Sequence, residues 1–351
     1  MRCTRLSPVI AALALTACIP SFSQKGPMPF SEYPYTSVEG QPWTEGDLVL
    51  DEITQRFDLG VPARVHYVEL NPEGRKTVIF VHGLGSYLKF WRYQLDAFAA
   101  EGYRVLALDM LGYGKSAKPA TFPYTMVAMA EVVRAFAKAQ GVERPVLVGH
   151  SMGGQTSLSY AITWPDEVEA LVLTAPAGFE KFSPAEREWF RSVFSVALVK
   201  SVPEAGLWGS IRRNNFYRWS NDYAWLVEER ARVIGTDEFD AYAYAQVKSV
   251  QGLTNTEFTR GNLGRVKAPT LIIFGNKDRL IPNRFMHPGH TRGVMAYGHD
   301  GIQGSKMVEL KGCGHTVQMD CWKDYNREVL GFLGGTVTAT TGSSASTPDV
   351  E

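Results

Sequence analysis

Gly149-His150-Ser151-Met152-Gly153 sets one serine between two glycines. The residues before it, Pro145–Val148, form a short apolar run of strand length. Those after it, Gly153–Trp164, carry a helical pattern. A serine on so sharp a strand-to-helix turn presents its hydroxyl outward, and small residues are needed on both sides. Gly149, Gly153 and Gly154 supply them. The helix that follows aims free backbone N–H groups at developing negative charge. This is the chemistry of an activated nucleophile attacking a carbonyl carbon, with Ser151 as the attacking group. Other chemistries lack their signatures: the chain has no P-loop, no Gly-rich dinucleotide fingerprint and no metal-ligand cluster. His287, His290 and His299, with Asp300, lie too widely spaced in Gly-rich loop sequence to predict a metal site. We expect neither metal nor cofactor.

A serine so placed needs a sheet behind it. Strand-length apolar runs occur at Thr77–Val81, Arg104–Leu108, Pro145–Val148, Ala170–Thr174, Thr270–Phe274 and Met307–Leu310. Several lack alternation, as suits strands buried on both faces of a parallel sheet. Helical patterns alternate with them at Leu88–Glu101, Met126–Gln140, Gly153–Trp164 and Trp322–Leu333. The alternation predicts an α/β fold with a mostly parallel, doubly wound sheet. Arg56–Leu59 and Ala63–Glu69 are expected to pair as an antiparallel edge hairpin, turning at Gly60-Val61-Pro62. From 178 to 264 no buried strand is evident. Ser183-Pro184-Ala185-Glu186 opens a helix there with a capping box. This stretch reads as a helical cap inserted between core segments 46–177 and 265–333. It holds Trp189, Trp208, Trp219 and Trp225, expected mainly to pack cap on core, with a minority facing a pocket.

His82-Gly83-Leu84-Gly85 ends the strand Thr77–Val81. Together with the serine turn, it makes residues 56–333 resemble the α/β-hydrolase superfamily. The resemblance implies an oxyanion hole built from the backbone N–H groups of Leu84 and Met152. It implies the acid Asp278, in Gly275-Asn276-Lys277-Asp278-Arg279-Leu280-Ile281-Pro282, and the base His315, in Gly312-Cys313-Gly314-His315. Their order, Ser, Asp, His, is the one this fold uses. An imidazole at 315 would take the Ser151 proton and return it to the leaving group, while Asp278 fixes its tautomer. His82 reads as a structural histidine holding its loop. Asp109-Met110-Leu111-Gly112-Tyr113-Gly114-Lys115-Ser116 matches an architectural loop of the family. Phe90 and Trp91 are expected either to line the pocket or to pack a helix. The interval between Asp278 and His315 is longer than the family's usual one, by an insertion of about 25 residues before the last strand.

The ends read differently. Residues 1–17 carry Arg2, Arg5 and a short apolar run from Val9 to Leu15, the composition of a secretory signal. Leu15-Thr16-Ala17-Cys18 resembles the lipobox of bacterial lipoproteins, which implies acylation of Cys18 and a place in the cell envelope. Ordinary cleavage, for example after Ser23, is the alternative. Residues 18–45 are proline-rich at Ser21–Pro42 and read as a tether or wrapping arm. Residues 334–351 are rich in Gly, Ser and Thr and read as a disordered tail. In an oxidising compartment Cys313 and Cys321 can form a disulfide, or remain two buried thiols.

The 351 residues hold 36 Lys+Arg and 36 Asp+Glu, a net charge of zero that argues against a nucleic-acid partner. Dehalogenases and epoxide hydrolases of the resembling fold carry aspartate at this turn, so Ser151 speaks against both chemistries. We expect hydrolysis of carboxylic esters through an acyl-enzyme. The alternatives are a carbon–carbon bond hydrolase or cofactor-free haloperoxidase with the same residues, cleavage of an amide, peptide or lactone, and a non-enzymatic surface-binding protein. Cap aromatics without clustered acid predict a small apolar ester as substrate, with activity rising from acetyl to hexanoyl and then levelling. Arg212 and Arg213 are expected on the solvent face.

Overall fold

The computed structural model describes residues 21–341, with side chains from 21 to 335. The expected signal peptide, Cys18 and the last ten residues lie outside the described residues. One sheet of eight strands forms the centre: β1 (Thr44–Val49), β2 (Arg64–Leu70), β3 (Thr77–Val81), β4 (Arg104–Leu108), β5 (Val146–His150), β6 (Ala170–Thr174), β7 (Thr270–Gly275) and β8 (Lys306–Leu310). Their order is β1-β2-β4-β3-β5-β6-β7-β8. The β1–β2 and β2–β4 pairs are antiparallel and all others parallel. β5, β6 and β7 are buried along their whole length. Helices on both faces cover these strands, which is why their sequences are unbroken apolar runs. The helices Met126–Ala139 and Met152–Thr163 are among those that do so.

The edge hairpin differs from expectation. β2 pairs not with Arg56–Leu59 but with Thr44–Val49, and Asp51–Arg56 is a helix between them. β1 is a mostly solvated edge strand, so it carries little apolar signature for a sequence reading to find. The helix that starts at Trp322 also runs on to Thr341, past the point where the disordered tail was expected to begin. The long Asp278–His315 interval holds a helix of its own, Thr291–Gly301.

Between β6 and β7 the chain forms six α-helices: Pro184–Val193, Val196–Lys200, Glu204–Ser210, Ala224–Val233, Phe239–Leu253 and Glu257–Gly261. The capping box forms, with Ser183 Oγ accepting from Glu186 N and Glu186 Oε2 accepting from Ser183 N. Arg212 and Arg213 are exposed.

The segment from residue 21 to β1 wraps the molecule. Ser21 Oγ and the backbone N–H groups of Phe22 and Ser23 donate to the Glu204 carboxylate, and Phe22 stacks on Trp208. Farther on, Phe30 packs edge-on to Tyr242, and Tyr33 Oη donates to the Glu229 carbonyl at 2.7 Å. Tyr35 Oη donates to buried Asp109 at 2.6 Å. The arm thus spans cap and core, and Phe30, Tyr33 and Tyr35 are each 2% exposed or less.

Two of the polar clusters that bind cap to core centre on Glu229 and on His287. Lys89 Nζ donates to Glu229, which also accepts from Tyr87 Oη, and Trp225 stacks its ring 4.5 Å from the ammonium. Burial pushes the Glu229 carboxyl up and the Lys89 ammonium down, each toward its neutral form, while the charge of each opposes the other's shift. The second cluster centres on His287. Its Nδ1 meets Glu180 at 2.5 Å and its Nε2 meets Glu186 at 3.0 Å, so the loop after β7 is latched to the first cap helix. His299, by contrast, pairs with Ser305 Oγ at 2.8 Å.

If the arm is part of the core, Phe30→Ala should cost about 3–5 kcal/mol in urea unfolding. A loss under about 1 kcal/mol would mean that the arm is only a tether. The latch carries its own pH signature. Burial lowers the His287 pKa, but the hydrogen bonds and charges of Glu180 and Glu186 outweigh it and hold the value above ordinary. A raised folded-state value stabilises below the unfolded pKa of about 6.5, and that contribution fades as pH climbs through the folded value. His287→Ala should therefore cost up to about 1 kcal/mol near pH 6 and less near pH 8.5. Equal losses at both would assign His287 to packing alone.

Candidate active site

Ser151 sits at the end of β5 with φ +53° and ψ −110°, in the left-handed half of the map that side chains rarely occupy. The glycines around it leave no alternative. A Cβ at Gly153 would lie 2.1 Å from the Val81 carbonyl oxygen, and one at Gly149 would lie 2.3 Å from the Gly153 oxygen. The Ser151 N–H donates to Thr174 O on β6, which ties the turn to the neighbouring strand. Met152 then begins the helix, whose first N–H groups have no partner within it.

Asp278 and His315 meet at the C-terminal end of the sheet. His315 Nδ1 donates to Asp278 Oδ2 at 2.8 Å, with both side chains almost fully buried. Asp278 Oδ1 accepts from the Leu280 and Ile281 N–H groups at 2.7 and 3.1 Å, so both carboxylate oxygens are engaged. Ser151 and His315 line one cavity of about 250 Å³. Leu84, His150, Phe90, Glu180, Phe182 and Asn215 are among its other walls. The structure therefore brings Leu84, Ser151 and His315 to one cavity, with Asp278 behind the imidazole.

The Leu84 loop is held from several directions. His82 Nδ1 donates to the Gly83 carbonyl at 2.8 Å, and its Nε2 accepts from Met110 N at 3.0 Å. Burial pushes the His82 pKa down, which keeps the neutral tautomer that makes both bonds. This histidine braces its own loop and the loop after β4. That second loop needs glycine at 114, because a Cβ there would lie 2.1 Å from Asp109 Oδ2. From the cap, Arg230 Nη2 and Tyr242 Oη both donate to the Gly85 carbonyl, at 2.5 and 2.9 Å.

The His315 loop is equally fixed. Asp320 accepts from Gly314 N at 2.6 Å and from the cap's Tyr217 and Arg218 N–H groups at 2.8 Å each. Cys313 and Cys321 form a disulfide across the same loop, with Cα atoms 5.9 Å apart. His150 was not singled out from sequence. Its Nε2 donates to the His315 carbonyl at 3.2 Å, and burial, followed by the charge of His315, lowers its pKa well below ordinary. The signal available was its position beside the serine. The four cap tryptophans line neither this cavity nor an adjoining one of about 440 Å³ under the cap, contrary to the expectation for a minority of them. Phenylalanines and tyrosines do that work instead. Phe90 lines both cavities, while Trp91 is buried against Phe80.

Comparison with known proteins places this geometry. Residues 76–320 match the sequence profile of the alpha/beta hydrolase fold family. A 2-hydroxy-6-oxononadienedioate/2-hydroxy-6-oxononatrienedioate hydrolase of Klebsiella pneumoniae is 28% identical over 306 residues, covering 84% of this chain and 98% of that one. A probable hydrolytic enzyme from Pseudomonas aeruginosa PAO1 superposes with a TM-score of 0.70 at 22% identity, over 86% of this chain and 98% of that one. The 2-hydroxy-6-oxo-6-phenylhexa-2,4-dienoate hydrolase of Rhodococcus sp. strain RHA1 gives 0.66 at 19% identity, over 83% and 98%. With its eight-stranded sheet and its match over most of its length, the chain belongs to the α/β-hydrolase fold family and is a hydrolase.

Proposed function

We propose that this hydrolase cleaves carboxylic esters through an acyl-enzyme on Ser151. The observation that carries the reading is the 2.8 Å bond from His315 to Asp278, beside a serine held at positive φ in the same cavity. Ser151 Oγ attacks the ester carbonyl while His315 Nε2 takes its proton. Asp278 holds Nδ1–H in place and stabilises the imidazolium. The oxygen that becomes negative is received by the N–H groups of Leu84 and Met152, each such donor worth about 10²–10³ in rate. His315 then protonates the departing alcohol, and water repeats the sequence to release the acid.

The similarity to dienedioate hydrolases favours a second reading, cleavage of a carbon–carbon bond by the same residues. The walls argue against a substrate of that kind. A dioate carries two carboxylates, yet among the described residues the cavity holding Ser151 has no lysine or arginine in its lining and one carboxylate, Glu180. Burial raises the Glu180 pKa, a sign of how poorly charge is solvated there.

A fluorophosphonate should add once to the protein, and Ser151→Ala should abolish the adduct. A surviving adduct would place the nucleophile elsewhere. Asp278→Asn should lower turnover of a p-nitrophenyl ester by roughly 10³–10⁴, and near-normal turnover would remove Asp278 from the reaction.

We also propose that Cys18 is acylated and that the enzyme faces the cell envelope, a reading supported by the lipobox-like sequence and by a disulfide that suits an oxidising compartment. Cys18→Ser should then shift the protein from the membrane to the soluble fraction. Unchanged fractionation would refute acylation.

A further inference from the structure

A second cavity of about 440 Å³ adjoins the one that holds Ser151. The two share Leu84, Phe90 and Asn215 as walls. The larger one lies between the cap, the N-terminal arm and the loop after β3. Phe30 and Tyr33 come from the arm, Val199, Leu207 and Ile234 from the cap. Among the described residues no aspartate or glutamate lines it. The single charged group among the described residues of its wall, Arg230, is already engaged by the Gly85 carbonyl and lies against the Tyr242 ring. The hydroxyls of Tyr33, Tyr87 and Tyr242 are spent on Glu229 and Gly85, so Ser210, Asn215 and Gln246, whose Nε2 has no partner among the described residues, are the polar side chains left in a mostly apolar wall. The apolar side chains that make up most of the wall suit an alkyl chain.

We infer that this chamber is the subsite for a long acyl chain, so that the enzyme acts on esters of medium- and long-chain fatty acids. The inference rests on the proposed reaction at Ser151 and adds the substrate's class to it. Leu84 is a shared wall and its N–H is the proposed partner of the ester's carbonyl oxygen, so the reacting carbon lies at the mouth of the chamber. We assign the longer, wholly apolar acyl half to the larger chamber. The chain then continues behind Leu84 and Phe90 into the chamber. The cavity of about 250 Å³ is left for the alcohol part. Each methylene moved from water into an apolar wall strengthens binding by roughly fourfold. Selectivity should therefore keep climbing beyond the hexanoyl ester, where the Ser151 cavity alone would have filled.

The test uses full-length enzyme and p-nitrophenyl esters from acetyl to dodecanoyl. kcat/KM should rise through octanoyl to dodecanoyl. Val199→Trp and Ile234→Trp, each placing an indole in the chamber, should lower kcat/KM for the dodecanoyl ester at least about tenfold and leave the butyryl ester within about twofold. Two independent plugs guard against one that merely misfolds, and a thermal melt on each identifies such a case. Binding of decan-1-ol to Ser151→Ala, measured by calorimetry, tests the chamber apart from the reaction. It should be detectable in Ser151→Ala and lost when either plug is added. If decan-1-ol binds and the plugs abolish it while no ester is cleaved, the chamber stands and the reaction is wrong. If short esters are cleaved but the plugs affect neither long esters nor decan-1-ol, the chamber is refuted and the reaction stands. A series in which lengthening the alcohol, and not the acyl group, responds to the plugs would overturn the assignment of the chain.

Discussion

A single residue held in a conformation that side chains avoid organises the centre of this molecule. Ser151 at φ +53° is tolerable only because β5 ends against two neighbouring strands and the helix after it starts with glycines. Isolated, such a backbone would relax, at a gain of order 1–3 kcal/mol. Here the Thr174 carbonyl fixes the Ser151 N–H, and the Val81 carbonyl lies where a Gly153 side chain would be. The close approach of β3, β5 and β6 thus holds the strain and, in doing so, lifts the hydroxyl out of the sheet. The His82–Gly85 loop leaves β3 at the same level. Ser151 and the Leu84 loop, the proposed nucleophile and oxyanion loop, are therefore positioned by one set of parallel strands.

The cap is not an independent lid over that centre. Arg230 and Tyr242 reach down to the Gly85 carbonyl, and Glu229 meets Lys89 and Tyr87 on the far side of the same loop. Asp320 ties the cap's Tyr217 and Arg218 to the loop of His315. Both loops that flank Ser151 thus have partners in the cap. Displacing the cap would expose a buried ion pair and release the Gly85 carbonyl, costs that set a barrier to any large opening.

The parts legible in the sequence are those whose signals are local. The serine turn needs glycines within three residues, and the buried strands need unbroken apolar runs, so both were found with nearly correct bounds. The same holds for the Ser183 capping box. The unread parts depend on partners far along the chain. β1 is polar and half exposed, and only its pairing with β2 makes it a strand. Glu229 and Lys89 look like ordinary surface charges until the fold buries them together. Composition predicted an aromatic cavity but could not say that phenylalanine and tyrosine would line it while the tryptophans packed outside. Nor could the spacing of Cys313 and Cys321 decide between a bond and two thiols, because that depends on how the His315 loop folds back.

The arm has a consequence for how the protein comes into being. Phe22, Tyr33 and Tyr35 leave the ribosome early, yet Phe22 rests on Trp208 and Tyr33 bonds to Glu229, whose segments are synthesised much later. Contacts across so many residues form late, after the loop between them has closed. During synthesis the arm has nowhere to dock, and the wall made by Phe30 and Tyr33 is missing until the cap is complete. A nascent chain therefore carries an unfinished enclosure beside its serine turn. The hydrophobic surface that the finished enzyme hides is for that interval a surface that chaperones can hold, until the early segment closes over the much later cap.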